Sequence, residues 1–90
     1  MLNPSFHGSF KRDQKLMLKR NKDIDKLNEL MAFLINEQPL IPKHEDHPLH
    51  GEYKGWRECH IEPNWVLIYR IDEVNRKVVF YRTGSHADLF

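Results

Sequence analysis

The sequence has a single cysteine, Cys59, so no disulfide can form within the chain and a thiol framework does not stabilise it. It also lacks any run approaching the roughly 20 apolar residues of a membrane span. Met1 is not followed by a basic segment and an apolar stretch, so no secretory leader is expected and a reducing, cytoplasmic setting is. With four glycines, five prolines and no repeat, nothing reads as low complexity. The chain has almost no charge of one sign in excess: 14 Lys+Arg against 13 Asp+Glu give +1, a poor recommendation for a nucleic-acid binder. What remains is 90 residues, 40% hydrophobic with mean hydropathy -0.69. That is one domain over residues 1–90, too short for more than one layer of helices on one sheet.

The near-zero charge conceals a dipolar distribution. Residues 1–26 hold seven basic side chains, including Lys11, Arg12, Lys15 and Lys19, against three acidic ones, or +4. Residues 27–63 reverse this with three basic and seven acidic, or -4. The rest has four against three, or +1. A basic N-terminal third of this kind presents either an ordinary solvated helix face or a surface for phosphate or an acidic partner. The chain is also rich in histidine, with five of its six between positions 44 and 86.

Hydrophobic spacing predicts the elements. Ser9 is placed to cap a helix running to about Arg20, with Phe10 and Met17 seven apart on its apolar face. Asn21 suits the left-handed conformation that ends it, and Asp23 can cap a second helix over 24–36 carrying Ile24, Leu27, Leu30, Met31, Leu34 and Ile35. Pro39 and Pro42 stop that helix, and 37–51 reads as a long irregular loop. From Trp56 the period becomes two: Trp56, Glu58, His60 and Glu62 share one face, and Arg57, Cys59 and Ile61 the other. Pro63-Asn64 is a turn, Trp65–Ile71 is a central strand, and Lys77–Thr83 is a third strand. Short links predict an antiparallel meander. With residues 1–6 as a further strand, the order is β-α-α-β-β-β, an α+β fold with a helical hairpin packed on an antiparallel sheet.

His44, His47 and His50, with Cys59 and His60, invite a test for zinc, which takes imidazole and thiolate. Their i, i+3, i+6 spacing aligns ligands only on a helix, and Pro48 and Gly51 forbid one there. Metal is therefore not expected, and His44 and His50 read as solvent-exposed loop residues. In the meander, the end of the first strand, the start of the second and the end of the third lie at one edge of the sheet. His60, Asn64, Trp65 and His86 meet there. Imidazoles in such a cluster can act as general base and general acid near neutrality. Arg82 is a candidate for phosphate contact or a solvated charge; Trp65 is a stacking platform for a base or part of the core. Phe90, at the chain end, lines a site or plugs the fold.

These residues carry a resemblance. Asp46-His47-Pro48-Leu49, the block from His60 to Tyr69, and Arg82-Thr83-Gly84-Ser85-His86 with Leu89-Phe90 follow one another in the order found in the YafQ-type toxins of the RelE superfamily. The Lys-rich first helix and leucine-rich second helix extend the likeness over the whole chain. The resemblance implies a RelE-like toxin domain and a ribosome-dependent mRNA endoribonuclease that needs no metal or other cofactor. The partners it implies are a DinJ-like antitoxin and the ribosome with mRNA in its A site. Family catalytic positions fall on His47, His60, Asn64 and His86, with Trp65 and Phe90 lining the site. Lys11, Arg12, Lys15 and Lys19 then serve for contact with ribosomal RNA or antitoxin. Position 64 departs from the family's Glu-Pro-Asp-Trp, since this chain reads Glu62-Pro63-Asn64-Trp65. Asn keeps the turn and loses a negative charge, so an attenuated nuclease is expected. Two other readings use the same residues: a gyrase-poisoning toxin of the same fold, which binds without cutting, and a small histidine-loop metal-binding protein.

Overall fold

The computed structural model describes residues 1–90. A short strand, β1 (Asn3–Phe6), leads into α1 (Gly8–Lys19) and α2 (Ile24–Ile35). Asn21 adopts φ 59° at the turn between the helices, and Asp23 caps α2 by accepting from the Asp25 amide, both as the sequence predicts. The cap of α1 differs from expectation: His7, not Ser9, is the N-cap, and its Nδ1 accepts from the Ser9 amide. Ser9 is used elsewhere, its hydroxyl donating to the Tyr81 carbonyl.

The expected loop after α2 is partly ordered by two single turns of 3-10 helix and by a two-residue strand, β2 (His47–Pro48). Three longer strands follow: β3 (Arg57–Glu62), β4 (Trp65–Asp72) and β5 (Lys77–Gly84), then a one-turn helix, α3 (His86–Leu89). The sheet order is β1-β5-β4-β3-β2. The meander is antiparallel as predicted, whereas β1 runs parallel to β5, which makes the sheet mixed. Hydrophobic period specifies a strand's faces and not its direction. The αα hairpin between β1 and the meander leaves β1 free to join the edge in either sense.

The two faces of the sheet have different covers. On one, Phe10, Met17, Leu27, Leu30, Met31 and Leu34 of the helices pack on Cys59, Leu67, Tyr69, Val78 and Phe80. Burying a side chain of this size contributes about 1.5–3 kcal/mol, so this layer supplies most of the driving force for the fold. On the other face Val66 and Ile68 are covered only by Leu89 of α3 and by half-buried Leu49, Tyr53, Trp56 and Tyr81. No helix is long and apolar enough to cross a membrane.

The alternation predicted for β3 holds until its end. A register shift between His60 and Glu62 turns Glu62 toward α2, where it accepts from Lys22 and Lys26 at 3.4 and 3.0 Å instead of sharing a face with His60. A bulge inserts a residue and so reverses the side to which those beyond it point.

Candidate active site

The histidines gather around a carboxylate that the sequence pattern presents only as one residue of an alternating strand. Glu58 is 3% exposed, and its Oε1 accepts from His86 Nε2 at 2.9 Å. The same oxygen lies 3.1 Å from His60 Nε2 and 4.0 Å from His47 Nε2. Three elements deliver these rings. β2 pairs His47 directly opposite Glu58, β3 carries Glu58 and His60 two apart on one face, and α3 begins at His86. A buried carboxylate without donors is costly, and two ring N–H groups provide them.

Hydrogen bonds at the other ring nitrogens distinguish the three imidazoles. His47 Nδ1 donates to the Pro48 carbonyl at 3.1 Å, which leaves its Nε2 lone pair facing the cluster in the neutral ring. His60 and His86 instead present Nε2–H to Glu58. The His60 ring is almost enclosed, its buried Nδ1 lacking a hydrogen-bond partner and lying 3.7 Å from Glu45 Oε2. The His47 and His86 side chains are about half exposed, 48% and 46%. Those two are therefore accessible from solvent, and His60 lies beneath them. Phe90 stacks on His86 with centroids 5.7 Å apart and keeps 58% of its surface exposed.

Other predicted site residues are placed differently. Asn64 is exposed in the β3–β4 turn, and its side chain makes no hydrogen bond within the chain. Trp65 is wholly buried in the helix-side core, its indole N–H donating to Thr83 Oγ1 at 2.9 Å, so it has no free face for a base. Arg82 is half-buried and already paired: its Nε and a terminal nitrogen donate to the Asp13 carboxylate at 2.7 and 3.2 Å. Asp13 also accepts from the Thr83 amide. This chain of contacts from α1 to Thr83 to Trp65 fixes the end of β5, two residues before His86.

Two loop residues also differ from each other in role. His44, expected in solvent, is half-buried and donates from Nδ1 to the His60 carbonyl at 2.8 Å, supporting the cluster, whereas His50 is exposed as expected. Burial pushes the Cys59 thiol well above its usual range, which keeps it protonated and unsuited as a nucleophile or metal ligand. Lys11, Arg12, Lys15 and Lys19 are exposed, form no ion pair, and lie on α1 across the sheet from the histidines. The cluster itself offers a candidate ligand set, with one donor atom each from His47, Glu58 and His60 lying within 4.8 Å of one another.

Two signals in the sequence point to what the histidine pattern misses. Glu58 shares the predicted face with His60 and lies two residues before it. The Ser85-His86-Ala87-Asp88 stretch has the spacing of a capping box, which marks the start of α3.

A family model described as the bacterial toxin of type II toxin-antitoxin system, YafQ, matches residues 2–90. The mRNA interferase toxin YafQ of Escherichia coli K12 is 46% identical over 86 residues, covering 94% of this chain and 91% of its own. The toxin in the crystal structure of the E. coli DinJ-YafQ complex is 44% identical with a TM-score of 0.90, over 99% of this chain and 97% of that one. A metal-bound toxin from Helicobacter pylori is 39% identical with a TM-score of 0.93, over the whole of both chains. Fold, order of motifs and near-complete coverage converge: the chain belongs to the YafQ family of bacterial type II toxin-antitoxin toxins.

Proposed function

We propose that residues 1–90 act as one toxin domain that cuts mRNA on the ribosome, through His47, His60 and His86 gathered on Glu58. The observation that carries this reading is the shared Glu58 oxygen, 2.9 and 3.1 Å from two ring nitrogens and 4.0 Å from a third. RNA cleavage by its own 2′-hydroxyl needs a base, an acid and positive charge beside the phosphate. In this scheme His47 Nε2 removes the 2′-proton and the 2′-oxygen attacks phosphorus. His86, as an imidazolium whose Nε2–H stays on Glu58, gives its Nδ1 proton to the departing 5′-oxygen, leaving a 2′,3′-cyclic phosphate and a 5′-hydroxyl. His60, enclosed beneath, supplies positive charge to the phosphorane oxygens. Glu58 orients the His60 and His86 rings. Phe90 stacks against His86 and gives a base a place to rest. Asn64, exposed in the β3–β4 turn, has no charge to hold an imidazolium, which supports reduced activity.

The ribosome presents the substrate in this reading, since the domain has no extended basic cleft of its own. A DinJ-like antitoxin restrains it, by analogy with the E. coli complex. Primer-extension mapping of an mRNA with and without translating ribosomes tests the whole scheme. Cuts within codons are expected only on ribosomes, and Asn64→Asp is expected to increase them. Changes in DNA supercoiling without cuts would move the assignment to a gyrase poison.

A second reading, metal binding, is favoured by the His47, Glu58 and His60 donor set and by the metal-bound H. pylori relative. Imidazole and carboxylate suit zinc or copper, and a bound ion would occupy the nitrogens the nuclease needs for proton transfer. Cleavage that persists or rises in chelator supports the nuclease; cleavage abolished by chelator and restored by metal supports the second reading.

A further inference from the structure

The face of the sheet that carries the histidines also carries a continuous series of planar groups leading away from them. Beyond the His60–His86 pair, with centroids 5.5 Å apart, come His86 on Phe90 at 5.7 Å and Phe90 against Tyr53 at 5.2 Å. Tyr53 lies 6.2 Å from Tyr81, which stacks on Trp56 at 4.6 Å and 25°. The series ends at Arg70, whose guanidinium carbon sits 4.5 Å above the Trp56 ring. Strand register explains the placement. β3 and β4 pair His60 with Val66 and Glu58 with Ile68, and one more step of the alternation sets Trp56 beside Arg70. A register shift in the β4–β5 ladder leaves Tyr81 outside the regular pairing and its ring against Trp56.

Arg70 is held unlike most other arginines of the chain. Arg20, Arg57, Arg76 and Arg82 each pair with a carboxylate. Arg70 has none within ion-pair distance; its guanidinium sits over an indole and is exposed, which holds the group in place while leaving its charge available. Asp72, two residues along β4, feels the Arg70 charge but is occupied by two hydrogen bonds from Asn75. Four steps along β4 lead from Val66, opposite His60, to Arg70, which is roughly 13 Å at the usual rise. That is a span of a few nucleotides of single-stranded RNA.

We propose that this series is a track for the mRNA flanking the cut, with Arg70 gripping a backbone phosphate a few nucleotides from the scissile one. The exposed face of Phe90 and the half-buried ring of Tyr53 meet the intervening bases. Stacking on aromatic rings and charge-assisted contact with phosphate is how single strands are held without dependence on sequence. The inference rests on the nuclease reading, and continuity with the imidazoles selects RNA over a protein partner as the occupant.

The test uses mRNAs on programmed ribosomes that carry one neutral methylphosphonate linkage, walked along the positions flanking the cut. For the unaltered chain, neutralising one linkage away from the cut should slow cleavage about tenfold, the scale of one charge-assisted hydrogen bond. Arg70→Gln should cut the unmodified mRNA about tenfold more slowly and be insensitive to that linkage. Arg70→Lys, which keeps the charge without the planar stack, should fall between them. Thermal unfolding of the variants should match the unaltered chain, because the Arg70 side chain is exposed. Equal sensitivity of the unaltered chain and Arg70→Gln at every position would overturn the track while leaving the nuclease in place. Weaker antitoxin affinity in Arg70→Gln with an unchanged cleavage profile would also overturn it, making the stack a protein-docking surface. If the unaltered chain cuts no programmed mRNA, the nuclease reading fails and takes the track with it.

Discussion

Glu58 is the residue around which the histidines gather, and in the proposed scheme its role is positional. It contacts His60 and His86 and is too enclosed to meet substrate itself. Replacing it with Gln keeps the shape and removes the charge that both ring N–H groups face. Glu58→Gln should lower the single-turnover cleavage rate on programmed ribosomes about 100-fold, within the usual scale of general acid–base contributions. Half-saturation by ribosomes should hardly change, and Glu58→Asp should recover part of the rate. An unchanged rate in Glu58→Gln would show that the imidazoles need no anchor. The histidines themselves are legible in sequence because the imidazole declares its chemistry. Glu58 is not, because a glutamate on an alternating strand reads as surface until a partner strand and a helix close over it.

At the scale of elements, α3 decides where His86 points. It is four residues long, far too short to persist by helical propensity, and is held by its ends. Ser85 Oγ accepts from the Asp88 amide while the Asp88 carboxylate accepts from the Ser85 amide, and Arg20 at the end of α1 donates twice to the same carboxylate, at 2.6 and 3.0 Å. Arg20, and after it the Ser85 amide, hold the Asp88 carboxyl far below the usual carboxylate range. A carboxylate lowered in this way adds stability at pH values above its unfolded titration, near about 4, and that stability fades as pH falls through the folded value. Asp88→Asn should therefore cost about 1 kcal/mol at pH 7, the scale of a helix cap. The gap from the unaltered chain should narrow at about pH 3, below the unfolded titration. Urea unfolding at the two pH values measures both, and a gap independent of pH would remove the charge from the account. The helices α1 and α2 and the three meander strands are legible from their periodicities. The parallel direction of β1 and the two-residue β2 are not, because each depends on a partner distant in sequence; α3 shows its capping-box spacing but not the Arg20 contact that anchors it.

For the whole molecule, the two sides of the sheet divide the work. The histidines lie on the thinly covered face, while Lys11, Arg12, Lys15 and Lys19 stand unpaired on α1, across the sheet. On the proposed reading these cations stand on the other side of the sheet from the cut, which favours ribosomal phosphate or an acidic antitoxin segment for them. Charge reversal by Lys15→Glu with Lys19→Glu should weaken ribosome association and flatten its salt dependence, by about 0.7–0.9 in log–log slope for each phosphate no longer neutralised. Cleavage at saturating ribosome should be preserved. Sedimentation binding across a salt series measures the first, and unchanged association would make the stripe a solvated surface. The sequence by itself determined the α+β class, the apolar faces of the helices and strands, the local excess of basic charge and the imidazole chemistry, because these follow from residue type and spacing along the chain. Only the tertiary structure decided that Trp65 is core, that Arg82 belongs to Asp13, that Arg70 keeps its charge on an indole, and that Glu58 holds the histidines together. Those outcomes rest on which groups become neighbours when the β2, β3, β5 and α3 segments pack, and pairing across such distances is set by register and burial that no local pattern encodes.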